Sequence, residues 1–384
     1  MSRENARAVA ERSLRSNVRD LGGRPVLTAG ARQFRMVWTR DACFAAGGLI
    51  AAGRADAARG TLGAILSFRR ADGLLPRLLD SGSWAARVAW ASVGRELPLT
   101  GALKPNYVGE HFCAAIDGNA LACWAGELCA AADGAGPAFA REVLPALEGA
   151  LRWYDGRLKD GLVVQPPFSD WQDSVRARRG RVFFTNLLYW RAHEALAALA
   201  RRAGGDAAPW TARAEALRAR IRGFFWDERR GAYRSLEDGG PLSPDGLLFA
   251  IVWGFSGPEE SRRLIAALDA AGAWTPWGPR CAVPDYPFSA RGWITRLAGV
   301  PDYHDRLVWL WQSALAVRAL RAAGEEARAE RLADALAGIL ERDGAAGEVY
   351  EPDDGRPVVR RLYRSEAPFS WAAAFCVEAL GAKE

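Results

Sequence analysis

Apolar residues recur along this chain at three- and four-residue intervals, and strand-like alternation is scarce, so helices dominate the expected structure. Residues 208–227 show the pattern well. Leu217, Ile221, Phe224 and Phe225 fall on one face while Arg213, Arg218, Arg220 and Arg222 lie elsewhere, as in a helix half exposed to water. The same periodicity predicts twelve helices, over 3–20, 41–54, 55–71, 117–133, 138–155, 185–204, 208–227, 243–256, 257–272, 302–324, 325–343 and 366–381. Punctuation supports several ends: Ser243 stands before Pro244, Pro258-Glu259-Glu260 opens the ninth helix, and Gly272 closes it.

The links between these helices alternate in length. After the even-numbered helices, up to the tenth, they are very short, as at Arg54-Ala55, Ser256-Gly257 and Gly324-Glu325. After the odd-numbered helices they are long: 21–40, 72–116, 156–184, 228–242, 273–301 and 344–365. Helices joined by a short link run antiparallel, so all six long links must emerge at one end. The expected fold is therefore all-α, an (α/α)6 toroid forming one domain over 1–384, with the even-numbered helices inside. No Pro/Gly/Ser-rich linker interrupts the rhythm, which argues against two domains. Loops longer than ~12–15 residues are usually functional, so chemistry is sought at that end.

Composition narrows the class. Half of the 384 residues are hydrophobic and a quarter charged, with mean hydropathy −0.12, as in a globular chain with a sizeable core. No run of ~18 apolar residues occurs, and the charged first residues do not suit a signal peptide, so a soluble, cytoplasmic protein with no membrane contact is expected. The net charge is +6, only three of the 51 basic residues are lysines, and bases and acids are interleaved, which argues against nucleic acid as a partner. None of the six cysteines has zinc-like or thioredoxin-like spacing, so buried reduced thiols are expected. No His/Cys/carboxylate cluster has ligand spacing, so neither metal nor cofactor is expected.

Candidate chemistry concentrates in the long links. Phe34-Arg35-Met36-Val37-Trp38-Thr39-Arg40-Asp41 places a guanidinium and a carboxylate side by side, able to grip two sugar hydroxyls, next to the stacking face of Trp38. A helix-capping Asp41 with a surface Arg40 is the alternative. Asp170-Trp171-Gln172-Asp173 flanks an indole with two carboxylates, suited either to acid catalysis or to a solvated loop. Glu348, between glycine and valine, is the acid expected at the toroid mouth, whereas Asp353 and Asp354 suit a solvated turn. Asp117 is a cap or a ligand, and His304 a substrate contact or a cap.

Together these motifs resemble those of inverting (α/α)6 glycosidases. Trp38-Thr39-Arg40-Asp41, Asp170-Trp171-Gln172-Asp173 followed by Thr185-Asn186, and Glu348-Val349-Tyr350-Glu351-Pro352-Asp353-Asp354-Gly355 followed by Ser370-Trp371 are similar in order to motifs of glucoamylases, glycogen-debranching glucosidase domains, trehalases and bacterial glucosylglycerate and mannosylglycerate hydrolases. Gln172 stands where glucoamylases carry their acid, which shifts that role to Asp173. The resemblance implies Asp173 as general acid and Glu348 as general base, with Trp38, Arg40, Asp41, Asp117, Asp170, Trp171, His304 and Trp371 binding substrate. It implies exo-acting release of glucose or a related hexose from a small α-glucoside or glucan end, so a small carbohydrate is the expected partner. An acid that keeps its proton near neutral pH needs dry or negative surroundings, expected here from Phe168, Trp171 and Asp170. Two rival readings use the same toroid: a sugar epimerase with His111 and His304 as acid and base, and a non-catalytic glycan-binding protein.

Overall fold

The computed structural model describes residues 2–83, 86, 89–90, 98–109 and 111–381. Each of the twelve predicted segments contains a helix. They are α1 (Arg3–Ser16), α2 (Thr39–Ala51), α3 (Ala55–Leu66), α4 (Gly118–Ala131), α5 (Gly136–Arg152), α6 (Phe183–Ala203), α7 (Ala208–Phe225), α8 (Pro244–Val252), α9 (Pro258–Ala270), α10 (Leu310–Ala322), α11 (Glu326–Asp343) and α12 (Ser370–Ala379). An additional short helix, Trp293–Leu297, lies within the 273–301 link.

Some predicted ends are wrong for identifiable reasons. The first helix stops at Ser16, not 20, because Val18–Asp20 pairs antiparallel with Pro25–Leu27 around a turn in which the Asp20 carboxylate accepts from the Gly23 amide. The tenth starts at Leu310, not 302, because Val308–Trp309 is extended and pairs with Val349–Tyr350. The last starts at Ser370, since Phe369 is extended and the Ser370 amide donates to the Ala29 carbonyl.

The even-numbered helices form the inner ring: α2, α4, α6, α8, α10 and α12 pack each on the next, and α12 closes on α2. Their sequences show why. Every residue from Thr39 to Ala46 in α2 and from Pro244 to Ile251 in α8 is buried, whereas outer α7 buries only the stripe Ala214, Leu217, Ile221 and Phe225. Gly48 lets α2 approach α12 closely, since a Cβ there would lie 2.4 Å from the Ala374 Cα.

Large aromatic side chains from this inner ring fill its middle. Trp371 stacks on Trp311 (centroids 4.3 Å apart) and on Phe44 (4.5 Å), Phe44 lies along Phe249 (5.4 Å), Phe249 stacks on Trp253 (4.3 Å), and Trp253 meets Trp124 edge-on (5.3 Å). Such pairs contribute ~0.5–1.5 kcal/mol each beyond the area they bury.

All six long links meet at one end, as expected from the alternating link lengths. Val37–Trp38 pairs with Leu78–Asp80 and the Gln33 side chain bonds the Arg364 carbonyl, which joins 21–40 to 72–116 and 344–365. The Ile116 amide donates to the Ser169 carbonyl, Val182 bridges Leu236, and Leu242 bridges Val283, which ties in the other three. Among the described residues no helix is long and apolar enough to cross a membrane.

Candidate active site

The inner helices begin at the loop end, where the first turns of α2 and α12 and residues of the long links line a cavity of about 240 Å³. Trp38 is the extended residue before α2, Arg40 and Asp41 lie in its first turn, Trp309 precedes α10, and Trp371 is the second residue of α12. Trp171 and Trp371 lie against the aromatic filling below. Eight of the ten residues singled out in the sequence line this cavity: Trp38, Arg40, Asp41, Trp171, Asp173, His304, Glu348 and Trp371. Asp117 and Asp170 do not.

Asp117 stands behind Arg40. Its carboxylate receives the Arg40 Nε at 2.5 Å and is fully buried, and although it occupies the N-cap position of α4 it makes no capping bond. Neither of the two roles foreseen for it describes this geometry: it anchors a guanidinium. Arg40 is correspondingly no surface residue. Burial works against its charge, but Asp117 and Asp173 outweigh burial and hold it as a cation. Asp41, already inside the helix, is pushed up to about 7 by burial, with Arg40 opposing.

The surroundings expected for Asp173 are corrected as well. Its Oδ2 lies 3.2 Å from Arg40 Nη1 and 3.5 Å from Arg77 Nη2, and the side chain is 27% exposed. Asp170 faces away from it, into a buried clamp. It accepts from Arg178 Nε (2.7 Å), the Gln165 side chain (3.2 Å) and the Gln172 amide (3.0 Å). Arg178 continues to Asp245 (2.9 Å), whose carboxylate also takes the Trp171 indole N–H at 2.5 Å. The pair Asp170–Arg178 thus fixes the indole that faces the cavity.

Glu348 is 1% exposed and burial pushes it up to about 7. Three donors pull the other way: the hydroxyls of Tyr303 and Tyr363 (the latter at 2.7 Å) and the Glu366 amide (3.2 Å). Glu366 in turn accepts the backbone amides of Ala31, Arg32 and Gln33, which ties the Trp38 loop to the Glu348 segment.

His304 lies flat on Trp309 (5.1 Å, 12°), its Nδ1 bonds the Ser174 hydroxyl at 2.7 Å, and its buried Nε2 has no protein partner. Burial, reinforced by Arg40 and Arg178, holds the imidazole well below its usual range and therefore neutral. His111 also lines the cavity and is stacked on Phe168 at 3.8 Å. Among the described residues no group of three His, Cys, Asp or Glu side chains is placed to hold a metal.

Sequence reasoning missed Arg77 and Tyr363 and gave Tyr303 no role. Arg77 reaches the cavity by packing over the Trp38 ring (4.6 Å), and Tyr363 arrives on a short strand pair with Val359–Arg360. Neither carries a local motif.

Three carboxylates, Asp41, Asp173 and Glu348, and the indoles of Trp38, Trp171, Trp309 and Trp371 surround the cavity of this ring of six helical hairpins, a lining that suits a glycoside hydrolase. The chain belongs to a family of that class: the profile described as "Mannosylglycerate hydrolase MGH1-like glycoside hydrolase domain" matches residues 35–372. Among solved structures it is similar to the GH63 mannosylglycerate hydrolase of Thermus thermophilus in complex with glucose, at 19% identity and TM-score 0.69, over 97% of this chain and 99% of that one. The complex of the same enzyme with Tris gives 18% identity and TM-score 0.70 over the same shares. A rhamnosidase from Klebsiella oxytoca with rhamnose bound follows at 13% identity and TM-score 0.69, over 97% of this chain and 63% of that one. No curated protein sequence matches the chain.

Proposed function

We propose that this chain is an exo-acting, inverting glycosidase that releases one hexose, glucose or mannose, from a small α-glycoside, with glycosylglycerates the first substrates to test. The observation that carries the reading is that Asp173 and Glu348 line one cavity from links of the third and sixth hairpins, opposite stations of a six-membered ring. Inversion needs an acid on the departing oxygen and a base on water at the other face of the sugar. Asp173 is the acid, and Arg40 and Arg77 stabilise the carboxylate it becomes on giving up its proton. Glu348 is the base. Trp38, Trp171 and Trp371 offer apolar faces to the ring, and Arg40, Asp41 and His304 Nε2 offer hydrogen bonds to its hydroxyls. A cavity of about 240 Å³, below the usual ~300–1,000 Å³ of drug-sized pockets, suits one sugar with a small aglycone.

The test is product analysis by NMR on α-mannosyl and α-glucosyl glycerates and a panel of small α-glucosides. Free hexose should appear first as the β-anomer, and Asp173→Asn and Glu348→Gln should each abolish release while leaving the helical fold intact. An α-anomeric first product, or full activity in either variant, would overturn the assignment.

A further inference from the structure

A carboxylate offers about four acceptor positions, two on each oxygen. In Glu348 three are taken. Oε2 receives the Tyr363 hydroxyl and the Glu366 amide, and Oε1 receives the Tyr303 hydroxyl alone. One lone pair is left, on Oε1. Both phenols line the cavity, and their rings pack against each other. Tyr303 is packed against Trp309 (4.8 Å), His304 (4.6 Å) and Tyr363 (5.5 Å), and its carbonyl accepts the Trp309 indole N–H at 2.8 Å.

We propose that Tyr303 and Tyr363 are positioning residues for the hydrolytic water: their hydroxyls orient the Glu348 carboxylate so that the remaining lone pair of Oε1 receives the water proton, and they keep this buried group ionised. The inference rests on Glu348 being the base. In the step itself the water oxygen bonds to the anomeric carbon as the bond from that carbon to the aglycone oxygen breaks. The bonding pair leaves with the aglycone oxygen, which takes the Asp173 proton, while the water proton passes to Glu348 Oε1. Asp173 ends ionised and Glu348 protonated, and exchange with solvent restores both.

The chemistry of the donors gives the proposal its signature. A hydroxyl that donates to a carboxylate favours the ionised form, so its loss lets the buried group hold its proton to higher pH. Burial already pushes Glu348 upward despite the three donors. A tyrosine that only filled space would leave the titration unchanged when replaced by phenylalanine, which keeps the ring.

The experiment uses Tyr303→Phe and Tyr363→Phe in the full chain. The ionisation of Glu348 is followed by pH-difference infrared spectroscopy of its carboxyl stretch, with Glu348→Gln assigning the band, and kcat/KM is followed against pH with α-mannosylglycerate. Each variant should move the band's titration and the acid limb of the profile upward by about one pH unit, a roughly tenfold loss of rate below the limb and a much smaller one above it. Tyr303→Phe should also lower the plateau, because the water then loses its neighbour on Oε1. A Glu348 titration that stays in place in either variant overturns that tyrosine's role, and does so whatever substrate proves best. Retained turnover in Glu348→Gln would instead bring down the assignment of the base on which the proposal stands.

Discussion

Replacing Glu348 by glutamine should stabilise the folded chain, and increasingly so as pH rises. Burial raises this carboxyl from its ordinary 4.5 to about 7 in the fold, whereas in the denatured chain it titrates near 4.5. Between those values the folded state holds a proton that the unfolded state has released. Stability from this group is therefore complete below pH 4.5 and is lost as pH climbs through 7. At about 1.36 kcal/mol per unit, the loss amounts to roughly 3 kcal/mol over the window. Glutamine is neutral throughout and has no such slope. Urea unfolding of the parent and Glu348→Gln at pH 4.5, 6 and 8 gives the difference, because the other raised carboxyls, among them Asp41 at about 7 and Asp305 at about 6, are common to both and cancel, apart from the coupling of Glu348 to its neighbour Glu366. The variant should gain up to about 3 kcal/mol on the parent between pH 4.5 and 8. Parallel stability curves would refute the claim that Glu348 is buried at a cost. A gain paired with lost turnover would be a local trade of stability for function.

Arg40→Ala should cost ~3–5 kcal/mol of stability in urea, because it strands the fully buried Asp117, and ~2–4 kcal/mol in kcat/KM; Asp117→Asn in the same chain should restore part of the stability but not the rate. Arg178→Met leaves Asp170 and Asp245 buried together without their cation, and a thermal melt should show a similar ~3–5 kcal/mol loss, with KM rising as the Trp171 indole loosens. His304→Phe removes the partnerless Nε2 from the cavity and should raise KM about tenfold, ~1.4 kcal/mol, without moving the acid limb, since the imidazole is neutral across that range; a shifted limb would show that His304 titrates during catalysis.

The ring was legible because chain connectivity dictates it: short links force neighbouring helices antiparallel, and every long link then has to emerge at the same end. Helix ends were legible only where the signal is local. Pro258 and Gly272 mark α9 closely, but nothing near 302–309 announces that Val308–Trp309 pairs with Val349–Tyr350, far along the sequence. The site divides the same way. The Arg40-Asp41 and Trp171 motifs led to the cavity, but which acid faces it and which backs it depends on a distant cation. Arg176, Arg178 and Arg179 read alike, yet only Arg178 is buried, between Asp170 and Asp245. Tyr363, in Arg361-Leu362-Tyr363-Arg364, gains its meaning solely from the turn that brings it to Glu348.

The aromatic filling of the ring also gives the molecule an optical property. Trp171 meets Trp311 edge-on at 4.9 Å, Trp311 and Trp371 are stacked at 4.3 Å, and Trp253 and Trp124 continue the series through Phe44 and Phe249. Trp171, Trp311 and Trp371 are close enough to share excitation, and two of them, Trp171 and Trp371, line the cavity. A sugar seated against Trp171 and Trp371 would replace water there and should change the emission of this cluster. Tryptophan emission of the unlabelled protein should therefore follow sugar binding, also in chains carrying Asp173→Asn or Glu348→Gln.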